Sequence, residues 1–456
     1  METRFWKKDI ETMPRDDIRK MQDKRLVSML EYVRARSSFY NNKFLQHGID
    51  VEKVTGLRDL EELPFTERDE IFVDQEEHGQ LGTLMCTEFT EPGQTIGLTG
   101  ARFSVTGKPL RVIISPWDAA TQGKLAARGL ASCGISPMDY FYIAYHPQFN
   151  LLYMHIGLGS INLGSKSVLV GTERAERNAR IYMQFYPPSS FFITPSYSRF
   201  VAPLIRILDR KYPIRTVIGT GEPGFSLPNV RLAHERLWQE VSTEGEVKVC
   251  DAYGLGELGL LGFECRHQNG LHCFEDAYIY EVIDPGSGRR LGPGEEGELV
   301  ITHLEREAMP LIRYRTGDVT RWDNSPCTCG RTHTRLLGIK GRLDQKLSVA
   351  GRQLYYSEIE DSLAGTDGYD GDYNIPINGS FGLDRLVVNL DARKAGPEVC
   401  AAIETQLGRT FEIPITARPV DHRELCIYPH KSHRIIDSDR AELFAKDMME
   451  QVKVEG

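Results

Sequence analysis

The chain has 456 residues, 41% hydrophobic and 26% charged, a length of two or three folding units at about 150 residues each and an ordinary globular composition. Lys plus Arg number 55 against 64 Asp plus Glu, a net charge of −9, so there is no global field for a nucleic-acid backbone or an anionic membrane, and any polyanion bound must be small and held locally. The nine cysteines are an odd number in a chain long enough to bury a core unaided, which argues against a disulfide framework; a charged N-terminus and no apolar run of about 20 residues point to a cytoplasmic protein with no membrane span.

In chain order, the first 45 residues read as helices. Asp9 stands as a cap before an amphipathic run, and Leu26, Met29, Leu30 and Val33 recur at helical spacing. From about Gly100 to Asp251, short apolar strands alternate with helical stretches. The strands are Leu110 to Ile114, Tyr140 to Ala144, Ser167 to Val170, Phe191 to Thr194 and Arg215 to Ile218; Pro116 to Ser132 and Ser196 to Leu208 are helical. That alternation predicts an α/β region with much parallel sheet. After Asp251 come shorter strands and Gly/Pro turns, with Tyr278 to Asp284 and Gly297 to Thr302 flanking the turn Pro285-Gly286-Ser287-Gly288. Beyond Gly341, Ser357 to Leu363 and Pro397 to Leu407 read as helices, and Leu386 to Leu390 and Ile415 to Val420 as strands. The expected architecture is α/β: a large N-terminal body of several subdomains, residues 1–342, with mixed and parallel sheets and a β-rich unit within about 252–340. A small mobile α+β domain, residues 343–456, follows.

Four segments carry chemistry. Cys250 to Glu257 (Cys-Asp-Ala-Tyr-Gly-Leu-Gly-Glu) follows the β-branched run from Val247; a strand entering such a turn can stack its Tyr on a planar base and present an acid to a metal-phosphate. Pro310 to Asp318 ends in a carboxylate able to accept both hydroxyls of a ribose, or merely to close a strand-end salt bridge. Gly341-Arg342-Leu343-Asp344 sits at the composition boundary, and Val105-Thr106-Gly107-Lys108-Pro109 has the form of a phosphate-cradling loop, with backbone N–H groups and a Lys facing phosphate oxygens. Each alone reads more readily as a tight turn or a surface pair.

In order and spacing, these segments resemble the adenylate-forming superfamily, most closely its phenylacetate-CoA ligase branch. Leu63-Pro64-Phe65-Thr66, Ile193-Thr194-Pro195-Ser196-Tyr197, Gly221-Glu222-Pro223, Gly270-Leu271-His272 with Glu275-Asp276, and Arg313 to Asp318 all look like that branch, and the similarity covers nearly the whole chain. The resemblance implies Mg-ATP-dependent activation of an aryl or arylacetic acid to an acyl adenylate, then transfer to CoA. A carrier-protein thiol or an amine is the alternative acceptor, and dimers are common in the branch. It implies nucleotide contacts from Thr106, Gly107, Lys108, Gly221, Glu222, Pro223, Asp251, Ala252, Tyr253, Gly254, Asp318 and Arg342. Glu257 falls on the acid that helps hold Mg²⁺, Asp344 on the hinge and Lys431 on the catalytic ammonium. His146, Phe149, Tyr153 and His155 fall where the acid pocket is expected.

Two departures touch the phosphates. The family's hydroxyl-rich loop start is Arg102-Phe103-Ser104-Val105 here, and the Ser or Thr expected before Glu257 is Gly256. Arg102 can supply a charge-assisted contact in place of the hydroxyls; a catalytically silent nucleotide- or acyl-binding homologue is the opposing reading. Finally, Cys327-Thr328-Cys329-Gly330-Arg331 with Cys265 and His272 supplies four N/S donors from two loops, the set of a closed structural zinc site, with His267 or Cys273 as substitute ligands. Some members of the branch carry a similar Cys-x-Cys-Gly-Arg and bind a metal there. Unrelated reduced thiols are the bland alternative.

Overall fold

A computed structural model of the chain describes residues 5–79, 81–88, 93–98, 109–145, 151–171, 175–208, 210–222, 224–367, 369, 371–377, 382–425 and 434–437. It opens with α1 (Lys8–Glu11), α2 (Arg15–Arg36) and α3 (Ser38–Gln46). Asp9 lies inside the first turn of α1 and is not its cap. Pro14, which has no N–H and cannot continue a helix, divides α1 from α2. The stripe Leu26, Met29, Leu30 and Val33 is buried, and α2 is fastened by Gln22 Nε2, which donates to the carbonyls of Glu275 at 2.9 Å and Tyr278 at 3.1 Å.

There follow α4 (Arg68–Glu77), β1 (Thr95–Leu98), β2 (Arg111–Ile114), α5 (Pro116–Ser132), β3 (Tyr140–Ala144), α6 (Leu151–Leu163), β4 (Lys166–Leu169), α7 (Ala175–Phe185), β5 (Ser190–Ile193), α8 (Pro195–Ile207), β6 (Thr216–Gly219), α9 (Pro228–Glu240) and β7 (Lys248–Leu255). The start of α5 is sharp because Ser115 and Asp118 form a reciprocal capping box ahead of a Pro in the first turn. A second expectation also fails. The segment read as Leu110 to Ile114 does not join the parallel sheet, because β2 pairs antiparallel with β1, and the Gln75 side chain of α4 occupies both backbone groups of Arg111.

The remaining strands of the body are β8 (Gly259–Phe263), β9 (Leu271–Cys273), β10 (Tyr278–Ile283), β11 (Gly297–His303), β12 (Tyr314–Asp323) and β13 (Arg335–Arg342). Among the described residues they continue the α/β sheet to eleven strands, in the order β10-β11-β12-β13-β9-β8-β7-β6-β5-β3-β4. From β4 to β7 every pairing is parallel, and from β7 to β10 every pairing is antiparallel. One apolar core unites α2, α5 and the antiparallel strands, and a second lies between β3, β5, β6, β7 and helices α8 and α9.

The last section comprises β14 (Leu347–Val349), β15 (Arg352–Leu354), α10 (Tyr356–Ala364), β16 (Tyr373–Ile377), β17 (Gly382–Leu383), β18 (Leu386–Asp391), α11 (Pro397–Phe411), β19 (Ile415–Val420) and β20 (Ile435–Asp437). It makes a three-stranded and a four-stranded sheet of its own and encloses a third core built from Leu347 to Ala417.

Two of the sequence motifs clasp each other. Arg313 is buried with φ of 46°. It donates to the Leu63 carbonyl at 2.7 Å, pairs with Glu281 at 3.0 Å and lies over the Phe65 ring at 4.0 Å. Thr66 N donates to the Arg313 carbonyl at 2.9 Å. A buried guanidinium is tolerable only when paired and bonded in this way, so this contact sets the start of β12. No helix among the described residues is long and apolar enough to cross a membrane.

Candidate functional site

Strand β7 changes partners halfway along. Lys248 to Asp251 pair in parallel with β6, while Ala252 to Leu255 pair antiparallel with β8, with a register shift between Tyr253 and Gly254. At the changeover the Asp251 amide donates to Glu264 Oε2 at 2.8 Å, and the Glu264 amide returns a bond to the Asp251 carbonyl at 2.9 Å. Arg231 Nη2 donates to the other oxygen of Glu264 at 2.7 Å. Burial holds the carboxyls of Asp251 and Glu264 above their ordinary range, the charge of Glu264 lifts Asp251 further, and Arg231 opposes the rise in both. Asp251 Oδ1 accepts from the Ala252 amide at 3.0 Å. The turn is thus fastened from behind, at the carboxyl ends of parallel strands where open α/β sheets bind ligands.

Tyr253, Asp318, Arg342 and Asp344 come together in front of it. The Tyr253 hydroxyl donates to Asp318 Oδ2 at 2.6 Å, Arg342 Nη1 lies 3.6 Å from Asp318 Oδ1, and Arg342 Nε donates to Asp344 at 3.0 Å. Asp318 and Arg342 face each other in the β12/β13 register. Gly317 (φ 72°) allows the approach, since a Cβ there would lie 3.0 Å from Arg342 Nη2. Burial raises the Asp318 carboxyl to about 6, against the opposing pull of Arg342 and the Tyr253 hydrogen bond. Glu257 accepts the Tyr314 hydroxyl at 2.8 Å. Beyond the end of β6, Gly221 adopts φ of 90°, and a Cβ there would meet the Tyr145 hydroxyl at 2.7 Å. Glu222 accepts the Ser196 amide at 2.6 Å and the Ser196 hydroxyl at 2.9 Å. Desolvation lifts its carboxyl, partly offset by the charge of Arg434.

Several expected site residues, Thr106, Gly107, Lys108, His146, Phe149, Pro223 and Lys431, lie outside the described residues, as does the 102–105 loop. On α6, Tyr153 is half-buried and His155 fully buried. Neither imidazole nitrogen of His155 has a hydrogen-bond partner among the described residues, and burial together with the charge of Arg306 lowers it to about 3, so the ring is neutral at physiological pH. A cleft of about 680 Å³, lined among others by Arg15, Asp23, Glu275 and Trp322, contains none of the candidate nucleotide residues.

Cys265, His272, Cys327 and Cys329 are buried with their donor atoms all within 4.8 Å of one another. Cys265 and Cys327 sulfurs lie 3.9 Å apart, and His272 Nε2 is 3.4 Å from Cys329 Sγ. The Cys327 thiol is held down by the neighbouring Cys265 S–H, whereas that of Cys265 is held up. The substitutes are turned elsewhere, since His267 Nδ1 contacts the Thr328 hydroxyl at 3.1 Å and Cys273 faces the Leu271 carbonyl. On β9, adjacent residues project to opposite faces, so His272 joins the cluster and Cys273 does not.

The supports of the turn, Glu264, Arg231 and Tyr314, were not singled out from the sequence for these roles. They are isolated polar residues whose partners are 13 to 57 residues away, and no local periodicity marks them.

No family model matches the chain. A phenylacetate-coenzyme A ligase of Thermus thermophilus is 31% identical over 408 residues, 87% of each chain. The solved structure of a 2-hydroxyisobutyryl-CoA ligase in the postadenylation state, in complex with 2-HIB-AMP, overlays with a TM-score of 0.87 at 25% identity, over 99% of this chain and 95% of that one. The same ligase with 2-HIB-AMP and CoA in the thioesterification state gives 0.68 at 25% identity, over 98% and 95%.

The Tyr253 to Asp318 bond gives a direct readout of the site. In ligand-free protein the Asp318 carboxyl is expected to titrate near 6, and Tyr253→Phe, which removes a donor to the charged form, should move the midpoint upward. Carboxyl ¹³C chemical shifts against pH check this, and an unmoved or lowered midpoint contradicts it.

Proposed function

The chain belongs to the phenylacetate-coenzyme A ligase family, and on that premise we propose that it activates an aryl or arylacetic acid with ATP and passes the acyl group to the thiol of coenzyme A. The observation that carries this reading is the junction of Tyr253, Asp318 and Arg342, an aromatic face beside a buried carboxylate and a guanidinium, suited to a purine and its ribose.

In the first half-reaction a carboxylate oxygen of the acid attacks the α-phosphorus of ATP, and pyrophosphate leaves with the electrons of the broken P–O bond. To Lys431 we assign the role of an ammonium between the carboxylate and the α-phosphate that offsets the charge developing at phosphorus. Asp318, charged above about pH 6, accepts the ribose hydroxyls. Thr106, Gly107 and Lys108 meet the phosphates, joined by Arg102, and Glu257 would hold Mg²⁺, whose contribution is to neutralise phosphate charge. Gly256 contributes no hydroxyl, so the neighbouring phosphate contact falls to the loop. In the second half-reaction the CoA sulfur attacks the acyl carbon, and AMP departs with the bridging oxygen. We assign residues 1–342 to the adenylating body and 343–456 to a unit that turns about Asp344, which lies in the short helical turn Leu343–Gln345.

Cys265, His272, Cys327 and Cys329 fit a structural zinc. Three crowded buried sulfurs and an imidazole nitrogen, with one thiol held down at the expense of another, are a donor set that a dication would neutralise. Its contribution would be to tie β9 to the loop before β13.

Purified protein should release pyrophosphate with at least one acid of an aryl and arylacetic panel, and Lys431→Ala should slow release by about a hundredfold or more. Acid-independent behaviour across the panel, with ATP still bound and the chain folded, would instead establish a silent nucleotide-binding protein. Elemental analysis should find near-stoichiometric zinc. The Cys327→Ser/Cys329→Ser variant should lose it and melt at lower temperature, whereas a metal-free wild type removes the assignment.

A further inference from the structure

Among the polar contacts that hold the C-terminal section against the body, two come from adjacent residues in the middle of α10 and reach α8 and α9. Glu360 accepts Arg199 Nη2 of α8 at 3.1 Å and lies 3.7 Å from Arg434 Nη2. Arg434 also pairs with Asp372 at 3.3 Å, donates to the Tyr373 carbonyl at 3.2 Å and lies over the Tyr373 ring at 4.7 Å. Its side chain is 1% exposed and that of Glu360 6%. Arg434 stands three residues after Lys431, and its charge acts on Glu222 at the rim of the nucleotide site.

One residue along α10, Asp361 reaches the first turn of α9. That helix has no side-chain cap of its own, because its N-cap is Leu227 and Pro228 brings no N–H. Asp361 Oδ1 accepts the amides of Asn229 at 2.8 Å and Val230 at 3.3 Å, and the Asn229 carboxamide donates to the Asp361 carbonyl at 3.1 Å. The C-terminal section therefore supplies the cap that the body lacks, a charge-assisted contact favoured by the helix dipole.

Both contacts are made with the chain arranged as in the postadenylation state of its relative, which it overlays more closely than the thioesterification state. We propose that Arg199, Glu360, Asp361 and Arg434 form a latch. They are positioning residues: Glu360 and Asp361, with Arg434 bracing Glu360 from within the same section, hold that section against α8 and α9 of the body, and the contacts to the body must separate together before CoA can react. This rests on the ligase reading above. Glu360 and Asp361 are adjacent on one helix, so breaking either contact weakens the other, and the latch biases the equilibrium between the two arrangements by the free energy of both.

Arg199→Ala and Asp361→Ala test this, with Arg206→Ala, which removes an exposed α8 to α9 pair inside the body, as the control. Among the described residues Arg199 pairs with Glu360 and Asp372, and not with Asn229 or Val230. Its removal should nonetheless speed amide exchange at those two positions by at least about fivefold, because the cap leaves with the rest of the section. Acid-dependent pyrophosphate release should slow by a similar factor in both variants, while thioester formation from supplied acyl adenylate and CoA holds or rises. Arg206→Ala should match wild type in all three. Unchanged exchange in Arg199→Ala overturns the latch, as does equal slowing of both half-reactions. A wild-type chain that makes no adenylate overturns the ligase reading instead, and the exchange comparison still decides the latch.

Discussion

The change of partners within β7 is the constraint on which the rest of the structure depends. The parallel ladder ends at Asp251 and the antiparallel ladder begins at Ala252, and a buried backbone group left unpaired at that point would be costly. Glu264 resolves this by bonding the Asp251 amide with its side chain and the Asp251 carbonyl with its own amide. The cost moves to a buried carboxylate, which Arg231 offsets. Such a charge is tolerable only with its partner in place, so the switch also fixes α9, the element that carries Arg231.

From that point the site follows by geometry. The end of β7 projects Tyr253 toward β12, where Asp318 waits in register with Arg342 of β13. Strand β12 in turn takes its position from the clasp between Arg313 and the Leu63 to Thr66 segment, which explains why those distant motifs belong together. Some of the motif residues that resemble the ligase branch are here structural. Glu275 holds Arg15 of α2 and the Thr334 hydroxyl at 2.9 Å, and Asp276 holds Arg128 of α5 at 2.8 Å. The N-terminal helices are thereby locked to the same sheet that carries the site.

Legibility in the sequence follows the range of the forces involved. The parallel strands and α5 were readable to within a residue or so because short apolar runs and a capping box are local signals. Asp9 and β2 were misread because their outcomes are set elsewhere, by Pro14 and by the Gln75 side chain. The sequence also revealed that Tyr253, Asp318 and Arg342 belong to one motif set, and the fold brings them into contact. Which carboxylate supports the turn was not readable, because Glu264 differs from any other acid only in what it faces. The spacing of Cys327 and Cys329 left the remaining donors open, and the alternation along β9 selected His272 over Cys273.

The central claim is that the acid's own oxygen attacks the α-phosphorus and leaves with AMP. Substrate acid carrying ¹⁸O in both carboxylate positions, incubated with the enzyme, ATP and CoA, tests it directly by mass spectrometry. The expected result is AMP bearing a single ¹⁸O, with the other retained in the thioester and none in pyrophosphate. Unlabelled AMP, or label in inorganic phosphate, would contradict the account.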